Sequence, residues 1–232
     1  MKTAPRYFIS LFFFILSLVA SAQKSKIDSL EAVLKSSNDD TNKVILLNTI
    51  AKYYRDNTPE NAINYINQAI LLSEKLDYKK GTGDGWNNMA GVFLVRGEYK
   101  NAIKHYKKAI VIRKEINDID GVSASLNNIG LTFKMLGDYD SSLFYCARSL
   151  EIDSMLKNQK GVAYGLANFG SIYKLKGDYE KALRFIYRSL EILEQQNDKY
   201  GLASTTGNLG ALYRTMHNYD KALEYMFSSL KY

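Results

Sequence analysis

Cysteine occurs once in 232 residues, at Cys146. No disulfide can form within the chain, so its stability must come from packing. Proline occurs only at Pro5 and Pro59, so almost nothing interrupts a helix. The two histidines, His105 and His217, have no second histidine or cysteine one helical turn away. The i, i+4 pair of a metal-binding helix is therefore missing. Charge is not extreme either: 31 basic residues stand against 24 acidic ones. This mild excess suits weak attraction to acidic partners and gives no sign of nucleic-acid binding. With 46% hydrophobic and 24% charged residues, the chain is neither a disordered tail nor a membrane bundle.

One apolar run does exist. Tyr7 to Ala20 reads "YFISLFFFILSLVA", preceded by Lys2 and Arg6 and followed by Ala20-Ser21-Ala22. A positive head, a short apolar stretch and an A-x-A site predict a secretory signal peptide over residues 1–22. The run is shorter than the roughly 20 residues that span a bilayer. The sequence thus predicts an exported chain, periplasmic or otherwise extracytoplasmic. Without Lys2 and Arg6 its formal net charge falls from +7 to +5.

The remaining sequence repeats itself every 40 residues without a gap. Gly81, Gly121, Gly161 and Gly201 begin four blocks, and Thr41 begins a fifth. Seven residues into each block stands asparagine: Asn48, Asn88, Asn128, Asn168 and Asn208. Two further on is a small residue, Ala90, Gly130, Gly170 or Gly210, with Ile50 the exception. Twelve residues in comes an aromatic: Tyr53, Phe93, Phe133, Tyr173 or Tyr213. Twenty-one in is Ala62, Ala102, Ala182 or Ala222, with Ser142 departing.

Within each block the apolar spacing is helical. Leu166, Phe169, Gly170 and Tyr173 form one stripe, and Ala182, Leu183, Ile186, Leu190 and Leu193 form another. Between them, Gly177 suits a left-handed helix end and Asp178 an N-cap. Thr58-Pro59 is expected to do the same with threonine as cap and proline at the first helical position. Each block is therefore a helical hairpin, helix A followed by helix B. Gly170 and Ala182 fall where the two helices would cross, a place that tolerates little bulk.

Trp86-x2-Met89-Ala90-x2-Phe93 with Ala102-x3-Tyr106 resembles the tetratricopeptide repeat, as does Leu166-x2-Phe169-Gly170-x2-Tyr173 with Ala182-x3-Ile186. The 40-residue period is longer than the family's usual 34 and lacks its closing proline. It resembles the sub-group typified by kinesin light chains and the LGN polarity adaptor. The resemblance implies an all-α fold: a right-handed superhelical solenoid of hairpins. Its repeats are read at 41–80, 81–120, 121–160, 161–200 and, incomplete, 201–232. Residues 23–40, with Ile27, Leu30 and Leu34 on one stripe, are read as an N-terminal capping helix.

No catalytic or metal constellation emerges. His217 takes a turn slot held elsewhere by glycine, and Cys146 an apolar slot of helix B. "GTGDG" at Gly81 to Gly85 lacks the preceding strand and the Gly-Lys-Ser/Thr of a phosphate loop. "NDIDG" at Asn117 to Gly121 lacks the further ligands of a calcium loop and reads as a polar turn. Lys100, Lys104, Lys107, Lys108, Arg113 and Lys114 read as a solvated basic face, or else as a docking patch for an acidic partner.

The asparagines carry the functional expectation. At 100° per residue they point roughly 150° away from the hairpin core. A stack of A helices would align Asn48, Asn88, Asn128, Asn168 and Asn208 along its concave wall, with Asn87, Asn127, Arg55 and Met135 as neighbours. Carboxamides both donate and accept, so such a ladder could hold the backbone of an extended peptide, as the resemblance also implies. The alternative is that each amide bridges adjacent A helices.

The expectation is a non-enzymatic protein- or peptide-binding module with no cofactor. An export signal followed by such repeats resembles the input half of bacterial sensor histidine kinases and regulators, with a further domain beyond Tyr232. The competing expectation is a self-contained periplasmic scaffold assembling an envelope complex. An enzyme would require convergent ionisable groups.

Overall fold

The structure is a computed structural model that describes residues 25–232; the expected signal peptide lies outside them. The described residues contain helices and no strand. Helix α1 covers 25–36. Five hairpins follow: α2 (Thr41–Tyr54) with α3 (Pro59–Lys75), α4 (Lys79–Val95) with α5 (Tyr99–Glu115), and α6 (Ile119–Leu136) with α7 (Tyr139–Met155). Then come α8 (Gln159–Leu175) with α9 (Tyr179–Gln195) and α10 (Lys199–Thr215) with α11 (Tyr219–Ser229). The two helices of each hairpin pack most extensively on one another, and each helix B packs next on the A helix that follows it. This is the expected all-α solenoid, in which neighbours bury what one hairpin cannot.

The turns follow from backbone chemistry. Gly97, Gly137 and Gly177 take left-handed φ of 73°, 78° and 81° between helices A and B, a backbone conformation that glycine adopts without the strain other residues incur. His217 occupies the same slot at φ 59°. Asp138, Asp178 and Asn218 then accept the N–H of Ser141, Lys181 and Lys221 at 3.0, 3.1 and 3.2 Å. The turn inside the first hairpin differs: Thr58 makes no side-chain cap bond, although Pro59 does open α3. The threonine cap expected from sequence is thus corrected.

The block glycines prove to be the third helical residue of each A helix, not its start. Asp118, Asn158 and Asp198 cap these helices by accepting the N–H of Gly121, Gly161 and Gly201. At the crossing, a methyl added to Gly170 would stand 2.5 Å from Ile186 Cγ1 and 3.1 Å from the Ala182 carbonyl. Ser142, the departure from the alanine slot, donates its hydroxyl to the Gly130 carbonyl at 2.7 Å and so remains satisfied.

An aromatic stack locks every hairpin: Tyr54–Tyr65, Phe93–His105, Phe133–Tyr145, Tyr173–Phe185 and Tyr213–Tyr225, with centroids 4.8–5.6 Å apart. In the first hairpin both rings also donate to Glu31 Oε1 of α1, each at 2.7 Å. Those bonds hold the Glu31 carboxyl below its usual range and push the Tyr54 phenol up to about 12. Leu34 of α1 packs with Val44, Leu47, Ala69 and Leu72.

Candidate functional site

The A helices lie side by side, and their polar contacts define the face on which the asparagines fall. Asn48 and Asn88 are only 6% and 7% exposed. Asn88 Nδ2 donates to Asn48 Oδ1 at 2.8 Å, and Asn48 Nδ2 donates to the carbonyls of Val44 and Gly81. Farther along, Asn168 Nδ2 donates to Asn127 Oδ1 at 2.8 Å, while Ser125 donates to Asn87 Oδ1 at 3.3 Å. Carboxamides thus join α2 to α4, α4 to α6, and α6 to α8.

The expected ladder is therefore uneven. Asn48, Asn88 and Asn168 adopt the bridging arrangement. Asn128 and Asn208 are half-buried, and among the described residues no hydrogen bond from either carboxamide is found. Buried amides without partners are costly, and half-exposed ones keep donors and acceptors for a ligand.

The other expected neighbours lie nearer the ends of the A helices. Arg55 is half-buried and reaches over Gly91 while bonding Asp56 through Nε at 2.8 Å. Met135 is 58% exposed. In its register, Val95 and Leu175 are exposed as well, giving an apolar column across three repeats. One residue earlier the register holds Lys134, Lys174 and Arg214, a column that sequence reasoning passed over although the period would have shown it. Lys134 Nζ donates to Ser171 Oγ of α8 at 3.3 Å. Burial pulls both lysine amines below their ordinary range, and Lys174 is lowered further by Arg214.

One expected member of the basic run is misplaced. Arg113 is 6% exposed and does not belong to a solvated face. Its guanidinium donates to the Gly121 carbonyl and Ser125 Oγ, both at 2.7 Å, and pairs with Asp84 at 2.6 Å. The forty-residue register gave no warning, because the equivalent residues are Ser73, Asp153 and Leu193.

Neither histidine is placed as a ligand. His105 stacks on Phe93, and its Nδ1 lies 2.8 Å from the Asn101 carbonyl. Burial and the nearby Lys108 and Lys104 lower its pKa, favouring the neutral ring. Cys146 is buried, and burial pushes its thiol up to about 11, far from a reactive thiolate. "GTGDG" lies inside α4, where Gly81, Gly83 and Gly85 are buried packing positions. "NDIDG" supplies a left-handed Asn117 and the Asp118 cap of α6.

Stacked hairpins with this register define a tetratricopeptide repeat protein. The tetratricopeptide repeat family model matches residues 82–154 and 162–231, more than half of the chain, and the chain belongs to that family. The family described as the SusR N-terminal TPR domain matches residues 18–116. A search of curated proteins found no match. Among solved structures, a Rap protein complexed with Competence and Sporulation Factor is similar at TM-score 0.72 and 16% identity, covering 94% of this chain and 72% of its own. BtubC (BKLC) from P. vanneervenii is similar at TM-score 0.67 and 20% identity, covering 91% and 88%. A signal transduction ATPase from Pyrococcus horikoshii, described as having a tetratricopeptide repeat sensor, gives 0.70 and 15%, covering 91% and 33%. At these identities the likeness is one of fold. Both matching families are repeat families and neither describes a catalyst; the fold is that of a protein-interaction module.

Proposed function

We propose that the chain binds an extended polypeptide along the concave face of its A helices and passes that binding to a signalling partner, without chemistry of its own. The observation that carries this reading is the combination of half-buried amides at Asn128 and Asn208 with the exposed column Val95, Met135 and Leu175. An amide without a partner at a half-exposed site can accept a peptide N–H or donate to a peptide carbonyl. Apolar side chains beside it supply the desolvated contact that gives binding energy. The bridging pairs at Asn48–Asn88 and Asn127–Asn168 hold the surrounding helices in register, so contact with peptide falls chiefly on Asn128 and Asn208.

The setting is proposed to be extracytoplasmic, with the repeats as the input region of a bacterial sensor kinase or regulator. The signal-like leader supports this placement. A family named for an N-terminal domain, and relatives named for a bound factor and for a sensor, favour an input role over a free-standing scaffold.

The test is selection of peptides from a random pool on the 23–232 segment and on the variant with Asn128 and Asn208 changed to alanine. The selected peptides should bind the parent and lose about tenfold or more on the variant, equivalent to about 1.4 kcal/mol, while helicity is retained. Equal affinity for both, with only stability lost, would mean that the amides serve the fold alone.

A further inference from the structure

At one position per repeat boundary, helix B meets the next A helix with a buried side chain that follows no consensus. Ser73 bonds the Thr82 hydroxyl at 2.9 Å. Arg113 threads its guanidinium among Gly121, Ser125 and Asp84. Leu193 packs with Ala163 and Leu202. Each of these three meets chemistry of its own kind, the Arg113 cation facing Asp84 and Asp118. Asp153 meets no countercharge among the described residues. It is 7% exposed, accepts from Asn158 Nδ2 at 3.1 Å, and has the Ser123 hydroxyl as a further hydrogen-bonding neighbour. Burial raises its pKa; hydrogen bonds from Ser123 and Asn158 offset part of that rise, and the nearby Asp120 adds to it.

The residues around Asp153 are those of the Arg113 boundary with the charge inverted and the bulk removed. Forty residues on, Asp84 becomes Ala124 and Ser125 becomes Gly165, while Gly121 is kept as Gly161. A cavity of about 250 Å³ opens there. Asp120 and Ala124 form its exposed rim, Asp153 and Ser149 its buried floor, and Tyr164 and Asn127 its walls. The Tyr164 ring is fixed in place because its hydroxyl donates to Asp198 at 2.9 Å. Cofactor and drug-sized sites run to about 300–1,000 Å³, so this notch suits a single side chain. It adjoins the proposed groove through Asn127, which already bonds Asn168.

We propose that the notch is a receptor for a cationic side chain, a guanidinium above all, supplied by the polypeptide bound along the groove. The neighbouring boundary fills the corresponding space with the chain's own arginine; here the chain supplies the carboxylates and leaves the cation to come from outside. A planar guanidinium can bridge two carboxylates, one at the floor and one at the rim, as a point-like ammonium cannot. An unpaired buried carboxylate destabilises a fold unless a partner neutralises it. The inference rests on the peptide-binding reading only for the source of the cation.

The experiment is NMR titration of the purified protein with N-acetyl-argininamide and with N-acetyl-citrullinamide, its uncharged near-isostere. The same comparison is made with selected groove-binding peptides carrying arginine or citrulline. Shifts centred on Ala124, Gly161 and Tyr164 with the arginine compound, and at least about tenfold weaker binding of citrulline, are expected. Asp153→Asn should abolish the preference without loss of thermal stability. Asp120→Asn, on the exposed rim, should weaken it without touching the core. Equal binding of arginine and citrulline, no shift at the notch, or an unchanged preference in both variants would overturn the proposal. Peptides that bind the A-helix face without regard to arginine would sink the notch and leave the groove. Binding of argininamide together with a failure of every peptide would do the reverse.

Discussion

His105 shows how one ring position can hold more than its residue type suggests. Four hairpins stack tyrosine or phenylalanine on helix B against helix A, and the second hairpin uses imidazole in that place. His105→Tyr should therefore stabilise the protein by about 0.5–2 kcal/mol, the usual gain from a substitution toward the repeat consensus. The gain should grow with acid. Burial and two lysines hold the folded His105 pKa below its ordinary value near 6.5, so the unfolded chain takes up the proton first. Stability of the parent then falls as pH drops from 6.5 through the folded pKa, and the tyrosine variant escapes that loss. Melting temperatures at pH 7 and pH 5 check this; a gap that does not widen would contradict it.

At the same scale, legibility depended on repetition. The aromatic of helix A recurs twelve residues into every block and is legible there, although in the first hairpin the ring that stacks is Tyr54, one residue after the Tyr53 slot. Its partner on helix B, at Tyr65, His105, Tyr145, Phe185 and Tyr225, varies enough in type to escape notice. Arg113 and Asp153 share one slot with Ser73 and Leu193, so no period announces them; their chemistry is set by contacts that only the folded chain brings together. The helical wheel grouped the asparagines on one side of each A helix. It could not show that Asn48 would meet Asn88, because a single helix carries no information about its neighbour's register.

The element that repeats is the hairpin, and its tightest point is the crossing of helices A and B. Gly170 faces the Ala182 carbonyl and Ile186, and Gly210 faces the Ala222 carbonyl and Met226. Backbone cannot retreat as a side chain can, so Gly170→Leu should cost about 1–3 kcal/mol through overpacking. Chemical denaturation is the appropriate measurement, and an unchanged midpoint would show that the helices do not cross there. This feature was legible from the small-residue slots alone. The turns were mostly legible too, through Gly177-Asp178 and its counterparts. The exception was Thr58, whose side chain makes no cap bond; proline at the first helical position already fixes that helix start.

Across the whole molecule, hairpins stacked by nearest-neighbour contact leave one face of the A helices free of helix B. The basic column Lys134, Lys174 and Arg214 and the apolar column of Val95, Met135 and Leu175 belong to that arrangement, and the notch at Asp153, between α7 and the A helices beside it, adjoins it through Asn127. They arise because equivalent positions from successive repeats are brought into line, which is how a solenoid builds an extended binding surface from small units. The direct measurement is photo-crosslinking of a selected peptide from a benzophenone placed at Met135 or Leu175, compared with one at Leu71 or Val111 on the exposed side of helix B. All four sites are exposed, so access alone does not separate them. Crosslinks from Met135 and Leu175 with none from Leu71 and Val111 are predicted; peptide captured chiefly from the helix B sites would contradict the account.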